Sequence, residues 1–138
     1  MKRIIILLIV LYQVILAREL VVIGDKNFPE QNLTIEEIRT IFLDKRRFMD
    51  EKRLLVMNFE VKNSLRDCFE QHVLNKSKHS LERYWRKAYY QGKRPPKIIK
   101  SLAMLFSYLD NVSPSIGYSD MNATSENNVT VLYKVTCD

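Results

Sequence analysis

The chain is poor in the residues that build most metal, nucleotide and covalent chemistry. It has two cysteines, two histidines and three glycines in 138 residues. No Cys-x-x-Cys pair occurs, and His72 and His79 stand apart without a carboxylate cluster, so the usual spacing of metal ligands is missing. The Gly-x-x-x-x-Gly-Lys-Ser/Thr frame of a P-loop is missing as well. These absences predict a protein without a metal or other cofactor.

Arrangements typical of catalysis are also missing. No nucleophile, histidine and acid form a recognisable set, and the acids occur as the sequence neighbours Glu36-Glu37 and Asp50-Glu51. Adjacent positions on a helix point in different directions, so such pairs do not converge on one substrate atom. We therefore expect a protein that is not an enzyme.

Long apolar runs are confined to the N-terminus. Lys2 and Arg3 are followed by a mostly apolar stretch, residues 4–16, and then by Ala17. This pattern is typical of a secretory signal peptide, residues 1–17, cleaved after Ala17. An uncleaved anchor is the alternative, but the run is shorter than the roughly 20 residues that span a bilayer. The expected product is one exported domain, residues 18–138, without a stable membrane span.

Export affects the expected oxidation state of the two cysteines, Cys68 and Cys137. An oxidising compartment permits a disulfide between them. The alternative is a buried thiol, because Cys68 shares a helical face with Leu65 and Phe69.

Strand and helix patterns are mixed along the rest of the chain. Runs rich in β-branched and apolar residues predict strands over 19–24, 54–59, 115–118 and 129–135. Helical spacing predicts helices that begin after Thr34, after a cap at Asn63 or Ser64, and after Ser80, and one over 98–109. Leu81, Tyr84, Trp85, Ala88 and Tyr89 form the expected inward face of the third helix. The expected fold class is α/β, with a small mixed β-sheet flanked by helices.

Positive charge is concentrated in residues 76–100, which hold nine Lys or Arg residues and one acid, Glu82. Such a surface attracts phosphate, anionic glycans or lipid headgroups. A solvated helix face explains the same pattern. Nucleic acid is not an expected partner of an exported protein.

A series of short patterns gives the most specific signal. Its members are Leu33-Thr34, Ile38 to Ile41-Phe42, Arg66 to Phe69, Tyr84-Trp85, Gly92-Lys93, Pro95-Pro96 and Ile116-Gly117-Tyr118. In order and spacing it resembles the periplasmic-binding-protein-like domain of phosphate ABC-transporter substrate-binding proteins. The resemblance covers roughly 85 residues and implies one lobe of a two-lobed receptor together with its crossover strands.

The resemblance also implies where an anion would bind. The family binds phosphate at a Ser-Gly-Thr turn that opens a helix, and the matching positions here are Asn63, Ser64 and Leu65, followed by Arg66. The glycine and the threonine are absent, but backbone N–H groups and the helix dipole still favour an anion. An ordinary helix N-cap is the alternative interpretation.

The implied function is that of an exported, periplasmic solute-binding protein that takes phosphate or another small oxyanion. An ABC-transporter permease or another envelope protein is the implied partner. Two alternatives remain open. One is a degenerate lobe that docks onto an envelope protein through its basic face, and the other is an accessory subunit that completes its clamshell with another chain.

Overall fold

Strands and helices alternate through residues 18–137, which are the residues that the computed structural model of the chain describes. The predicted signal peptide, residues 1–17, lies outside the described residues. The elements in chain order are β1 (Glu19–Gly24), α1 (Ile35–Phe42), β2 (Phe48–Met49), β3 (Lys52–Arg53), β4 (Leu55–Phe59), α2 (Ser64–Cys68) with a π-helical continuation (Phe69–Leu74), α3 (Lys78–Tyr89), β5 (Lys97–Ile99), α4 (Leu102–Asn111), β6 (Ser115–Asp120), α5 (Met121–Ser125) and β7 (Thr130–Thr136).

Five strands form one mixed sheet in the order β5-β4-β6-β1-β7. β4 runs parallel to β5 and to β6, whereas β1 is antiparallel to β6 and β7. The parallel pairs require crossover helices, which α2, α3 and α4 supply. β2 and β3 form a separate two-stranded hairpin immediately before β4.

Helices cover both faces of the sheet, as two neighbouring residues of β6 show. The Tyr118 ring stacks on Phe69 of the π-helical segment, with ring centroids 4.2 Å apart. On the opposite face, a Cβ placed on Gly117 would lie 2.7 Å from Leu105 Cδ1 of α4. Successive strand residues point to opposite faces, so the two contacts define a helix–sheet–helix arrangement. The predicted α/β fold with a mixed sheet flanked by helices is confirmed.

The element predictions are mostly confirmed, with three errors in the region from 77 to 99. α3 begins three residues earlier than expected because Ser77 is its N-cap, and the Ser77 Oγ accepts a hydrogen bond from the Ser80 N–H. Tyr89 is not on the inward face, since 73% of it is exposed. Ile98 lies in strand β5, because pairing with β4 outweighs the helical spacing that continues into α4.

The two cysteines form a disulfide, which resolves the alternative that the sequence left open. Cys68 at the end of α2 is bonded to Cys137, just after β7. The Cys137 N–H also donates to the Arg18 carbonyl at 2.8 Å. Both ends of the described chain are therefore held beside α2.

Candidate functional site

Three helices begin at the same edge of the sheet. β4, β5 and β6 are parallel, so their carboxyl ends meet at one edge, where α2, α4 and α5 follow them. We call this the carboxyl edge. α2 and its continuation pack on the face of the sheet that carries Tyr118, whereas α4 packs on the face of Gly117. Open α/β sheets bind ligands in the crevice outside the carboxyl ends of such strands, where successive helices lie on opposite faces.

A side chain caps each of these helix starts. Asn63 Oδ1 accepts from the Leu65 N–H at 2.8 Å, Ser101 Oγ from the Met104 N–H at 3.1 Å, and Asp120 Oδ1 from the Ala123 N–H at 2.8 Å. Asn63 is therefore the N-cap of α2, one of the two residues that the sequence proposed for this role. The Asp120 carboxylate makes the α5 start unattractive to an anion. α2 is a better candidate than α5, because its helical residues continue through the π-helical segment to Leu74.

The four site residues predicted from the sequence lie together at the start of α2 but differ in what they can offer. The Leu65 N–H donates to the Asn63 side chain in the N-cap, so this N–H group is already used. Ser64 is exposed, and its Oγ accepts a hydrogen bond from Arg18 Nη1 at 2.8 Å. No hydrogen bond among residues 18–137 uses the N–H groups of Ser64 and Arg66. Two backbone donors of the first turn are thus free for a ligand.

The Arg66 side chain points to the protein and not to the carboxyl edge. Its Nη1 donates to the Phe59 carbonyl at 2.8 Å, and its Nε pairs with Glu70 Oε2 at 3.2 Å. Glu70 is buried, so this ion pair neutralises a carboxylate that would otherwise lack a partner. In this arrangement Arg66 contributes its backbone N–H to the candidate site, while its guanidinium has a structural role.

Sequence reasoning missed Arg18 as a site residue. It directly precedes β1, which is antiparallel to β6, so it lies at the carboxyl edge beside Asp120. Its guanidinium is held over the first residue of α2 by the bond to Ser64. The antiparallel pairing that brings it there is a tertiary feature, and the local sequence carries no signal for it.

Another surface groove lies beside α2 and offers an anion no net attraction. It has a volume of about 520 Å³ and runs between α2 and the start of α3. Its lining includes Asp67 and Glu70, and Asp67 pairs with Lys78 at 3.0 Å. Lys76 and Lys78 line the groove as well, so its two carboxylates and two cations balance and give an oxyanion no net attraction.

Comparison with known proteins identifies the fold. No protein-family model and no curated protein matches the chain. Several solved structures do. Three of them each match over 84% of the chain: an ABC-type phosphate transport receptor from Vibrio cholerae (TM-score 0.65, 13% identity), a protein from Clostridium perfringens described as a phosphate ABC transporter substrate-binding protein with bound phosphate (0.67, 19%), and PstS from Borrelia burgdorferi (0.66, 16%).

The match covers only part of each of these structures. The chain spans 46%, 45% and 47% of their respective lengths. It therefore spans slightly less than half of the proteins that it resembles, as expected for a single lobe. Within residues 18–137 no helix is long and apolar enough to cross a bilayer. The chain has the fold of one lobe of a periplasmic-binding-protein-like phosphate receptor.

Proposed function

We propose that the protein is a solute-binding lobe that holds phosphate or another small tetrahedral oxyanion at the start of α2. The observation that carries this proposal is the pair of unused N–H groups on Ser64 and Arg66, with the Arg18 guanidinium directly beside them. The donors, the positive end of the helix and the cation all favour a negative ligand at this point. The bound phosphate in the Clostridium perfringens structure gives the ligand class.

Affinity is expected to be weak in the isolated chain. One lobe leaves half of the ligand in water, where the high dielectric constant weakens each charge-assisted hydrogen bond. We therefore expect binding in the millimolar range, tightened when a second lobe or a partner chain covers the ligand. A permease of an ABC transporter is the proposed partner for transport.

Isothermal titration with inorganic phosphate tests the site, and Ser64→Pro is the decisive variant. Proline is accepted at the first position of a helix, and the Asn63 ψ of 130° suits a following proline, so the variant removes one N–H without breaking the helix. We expect phosphate binding to weaken about tenfold or more, since a hydrogen bond to a charged group is lost.

Ser64→Ala is the matched control, because it removes the hydroxyl and keeps the N–H. It should bind phosphate within a few-fold of the parent protein. Arg18→Ala should weaken binding through the loss of its charge. Unchanged binding in Ser64→Pro, or no heat with phosphate in the parent protein, would rule out this site.

We also propose that residues 1–17 are a signal peptide and that residues 18–138 form the mature periplasmic protein. The disulfide supports an oxidising compartment, and cleavage after Ala17 would place the new α-amino group on Arg18, beside the candidate site. The intact mass of the exported protein measures this directly. A mass that includes residues 1–17 would contradict the proposal.

A second candidate function is an interaction module that binds no solute. It is favoured by the engagement of the Arg66 guanidinium and the Leu65 N–H within the protein, which leaves fewer donors for a ligand than the sequence suggests. A pull-down from envelope extract tests it, with a charge-reversed Arg83/Arg86/Lys87 variant as the comparison. A partner captured only by the parent protein, together with no heat from phosphate, would favour this function.

A further inference from the structure

The edge of the sheet opposite the candidate site is built from two chain segments that meet in space. The β2–β3 hairpin lies in residues 45–53 and leads into the start of β4, and residues 86–97 lead into the start of β5. Arg47 Nη2 donates to the Gly92 carbonyl at 3.1 Å, and the Arg94 N–H donates to Asp44 Oδ2 at 2.9 Å. Residues 45–53 and 86–97 therefore form one continuous surface, which we call the basic–aromatic surface.

Charge on this surface is strongly one-sided. It holds ten of the 22 Lys and Arg residues of the chain and two acids, Asp50 and Glu51. In residues 18–137, only Arg46 and Arg47 of these ten cations are in ion pairs, with Glu30 and Asp44 respectively. The other eight carry charge that no carboxylate of the described chain neutralises. The surface therefore presents a concentrated positive potential to solvent.

The exposed aromatic side chains lie on the same surface. Among residues 18–137, the large aromatic residues that are exposed are Phe48 (54%), Tyr89 (73%) and Tyr90 (87%). The Tyr89 and Tyr90 rings meet edge to face with centroids 5.9 Å apart, and Arg53 lies 5.9 Å from the centre of the Phe48 ring. Because these rings are largely exposed to water, a partner that covered them would gain free energy from the burial of their apolar surface.

We propose that the basic–aromatic surface binds anionic phospholipid headgroups at a membrane surface. Lysine and arginine attract the headgroup phosphates, while tyrosine and phenylalanine suit the boundary between headgroups and acyl chains. A protein partner is less suited, because the cores of protein–protein interfaces are depleted of charge, whereas this surface holds ten cations, one of which, Arg53, lies beside the Phe48 ring. Docking by this edge leaves the carboxyl edge, with Ser64 and Arg18, facing away from the membrane.

Co-sedimentation of the full-length protein with vesicles tests the proposal. The probes are vesicles of mixed phosphatidylglycerol and phosphatidylcholine and vesicles of phosphatidylcholine alone. We expect binding to the anionic vesicles only, and release at 1 M salt, where the screening length falls to about 3 Å. Equal binding to both vesicle types, as an apolar N-terminal segment alone would give, or no binding to either, would overturn the proposal.

Matched charge reversals locate the binding surface. Lys52→Glu/Lys87→Glu changes one exposed lysine in each segment and should weaken binding about tenfold or more. Lys100→Glu/Lys134→Glu makes the same change in net charge on exposed lysines outside the basic–aromatic surface and should bind as the parent protein does. Equal losses in the two variants would show an effect of net charge alone and would overturn the assignment to this surface.

Removal of the rings separates their role from that of the charges. Tyr89→Ser/Tyr90→Ser leaves every cation in place and should bind anionic vesicles several-fold more weakly at low salt. Binding equal to that of the parent protein would overturn the role assigned to the tyrosines. Capture of one envelope protein by this surface, with no vesicle binding, would replace the lipid with a protein partner.

Discussion

Tyr118 shows how burial decides the chemistry of a single side chain. It lies in β6 among Phe42, Phe59 and Phe69, and its hydroxyl donates to Asn58 Oδ1. Burial raises the pKa of the Tyr118 phenol far above its ordinary value of 10.0, while the Phe59 backbone and the Arg66 charge oppose the shift. The phenol therefore remains a neutral hydrogen-bond donor in the folded protein.

The raised pKa of Tyr118 predicts loss of stability at alkaline pH. Below pH 10 the phenol is protonated in both the folded and the unfolded chain, so it adds no pH dependence. Above pH 10 the unfolded chain releases the proton and the folded chain keeps it, so the free energy of unfolding falls by up to about 1.4 kcal/mol per pH unit. Denaturant unfolding at pH 9 and pH 11 measures this fall.

Tyr118→Phe provides the control for the pH effect. It leaves the Asn58 side chain without its partner, so it should be less stable than the parent protein at neutral pH by about 1–3 kcal/mol. Its stability should nevertheless decline less steeply between pH 9 and pH 11. An equally steep decline would show that the pH dependence comes from other groups.

At the scale of single elements, the start of α3 shows the limit of local patterns. Ser77 and Ser80 both precede apolar residues of the inward face, and either hydroxyl can cap a helix. The N-cap in the structure is Ser77. Its backbone is extended (φ −73°, ψ 161°), and its Oγ accepts a hydrogen bond from the Ser80 N–H. The extra turn then places Lys78 beside Asp67, where the two side chains form an ion pair.

Alanine substitutions distinguish the two serines. Ser77→Ala should lower the free energy of unfolding by about 1 kcal/mol, because the helix start loses its side-chain acceptor. Ser80→Ala lies inside the helix and should change stability by less than about 0.5 kcal/mol. Chemical denaturation of the two variants measures the difference, and a larger loss in Ser80→Ala would contradict the observed cap.

At the scale of the whole molecule, the disulfide closes the largest loop in the described chain. Cys68 and Cys137 are 69 residues apart in sequence and join α2 to the end of β7. β7 pairs with β1, Arg18 directly precedes β1, and the Cys137 N–H donates to the Arg18 carbonyl, so the same bond helps to hold the candidate site in place. Stability and site geometry are thus linked through one covalent bond.

Removal of the disulfide should destabilise the whole fold. The Cys68→Ser/Cys137→Ser variant should lose on the order of 4 kcal/mol of unfolding free energy, since its unfolded chain is no longer restricted by the loop. Guanidinium unfolding of the variant, and of the parent protein with and without reductant, measures this loss. Equal midpoints for oxidised and reduced parent protein would contradict it.

Charge is also organised at the scale of the whole molecule. The candidate oxyanion site lies at the carboxyl edge, and the basic–aromatic surface lies at the edge where β4 and β5 begin. The phosphate and vesicle experiments therefore address separate surfaces. Ser64→Pro should leave vesicle binding unchanged, and Lys52→Glu/Lys87→Glu should leave phosphate binding within a few-fold of the parent protein.

Much of the fold could be predicted from local patterns. β1 occupies the predicted residues, Leu65, Phe69, Val73 and Leu74 are all buried as their spacing predicts, and Thr34 caps α1. These features depend on residues within one or two turns of each other. The short strand β5, the β2–β3 hairpin and α5 were not predicted, because each is too short to show a period of its own.

The amino-acid sequence by itself determined the fold class, most core positions and the place of the candidate site along the chain, because hydrophobic periodicity and helix caps depend on residues that are close in sequence. Only the tertiary structure decided which groups are free to act there. It bonded Cys68 to Cys137, turned Arg66 toward Glu70, and brought Arg18 across the sheet to Ser64. Each of these contacts, except that of Arg66, joins residues far apart in sequence, where local patterns carry no information.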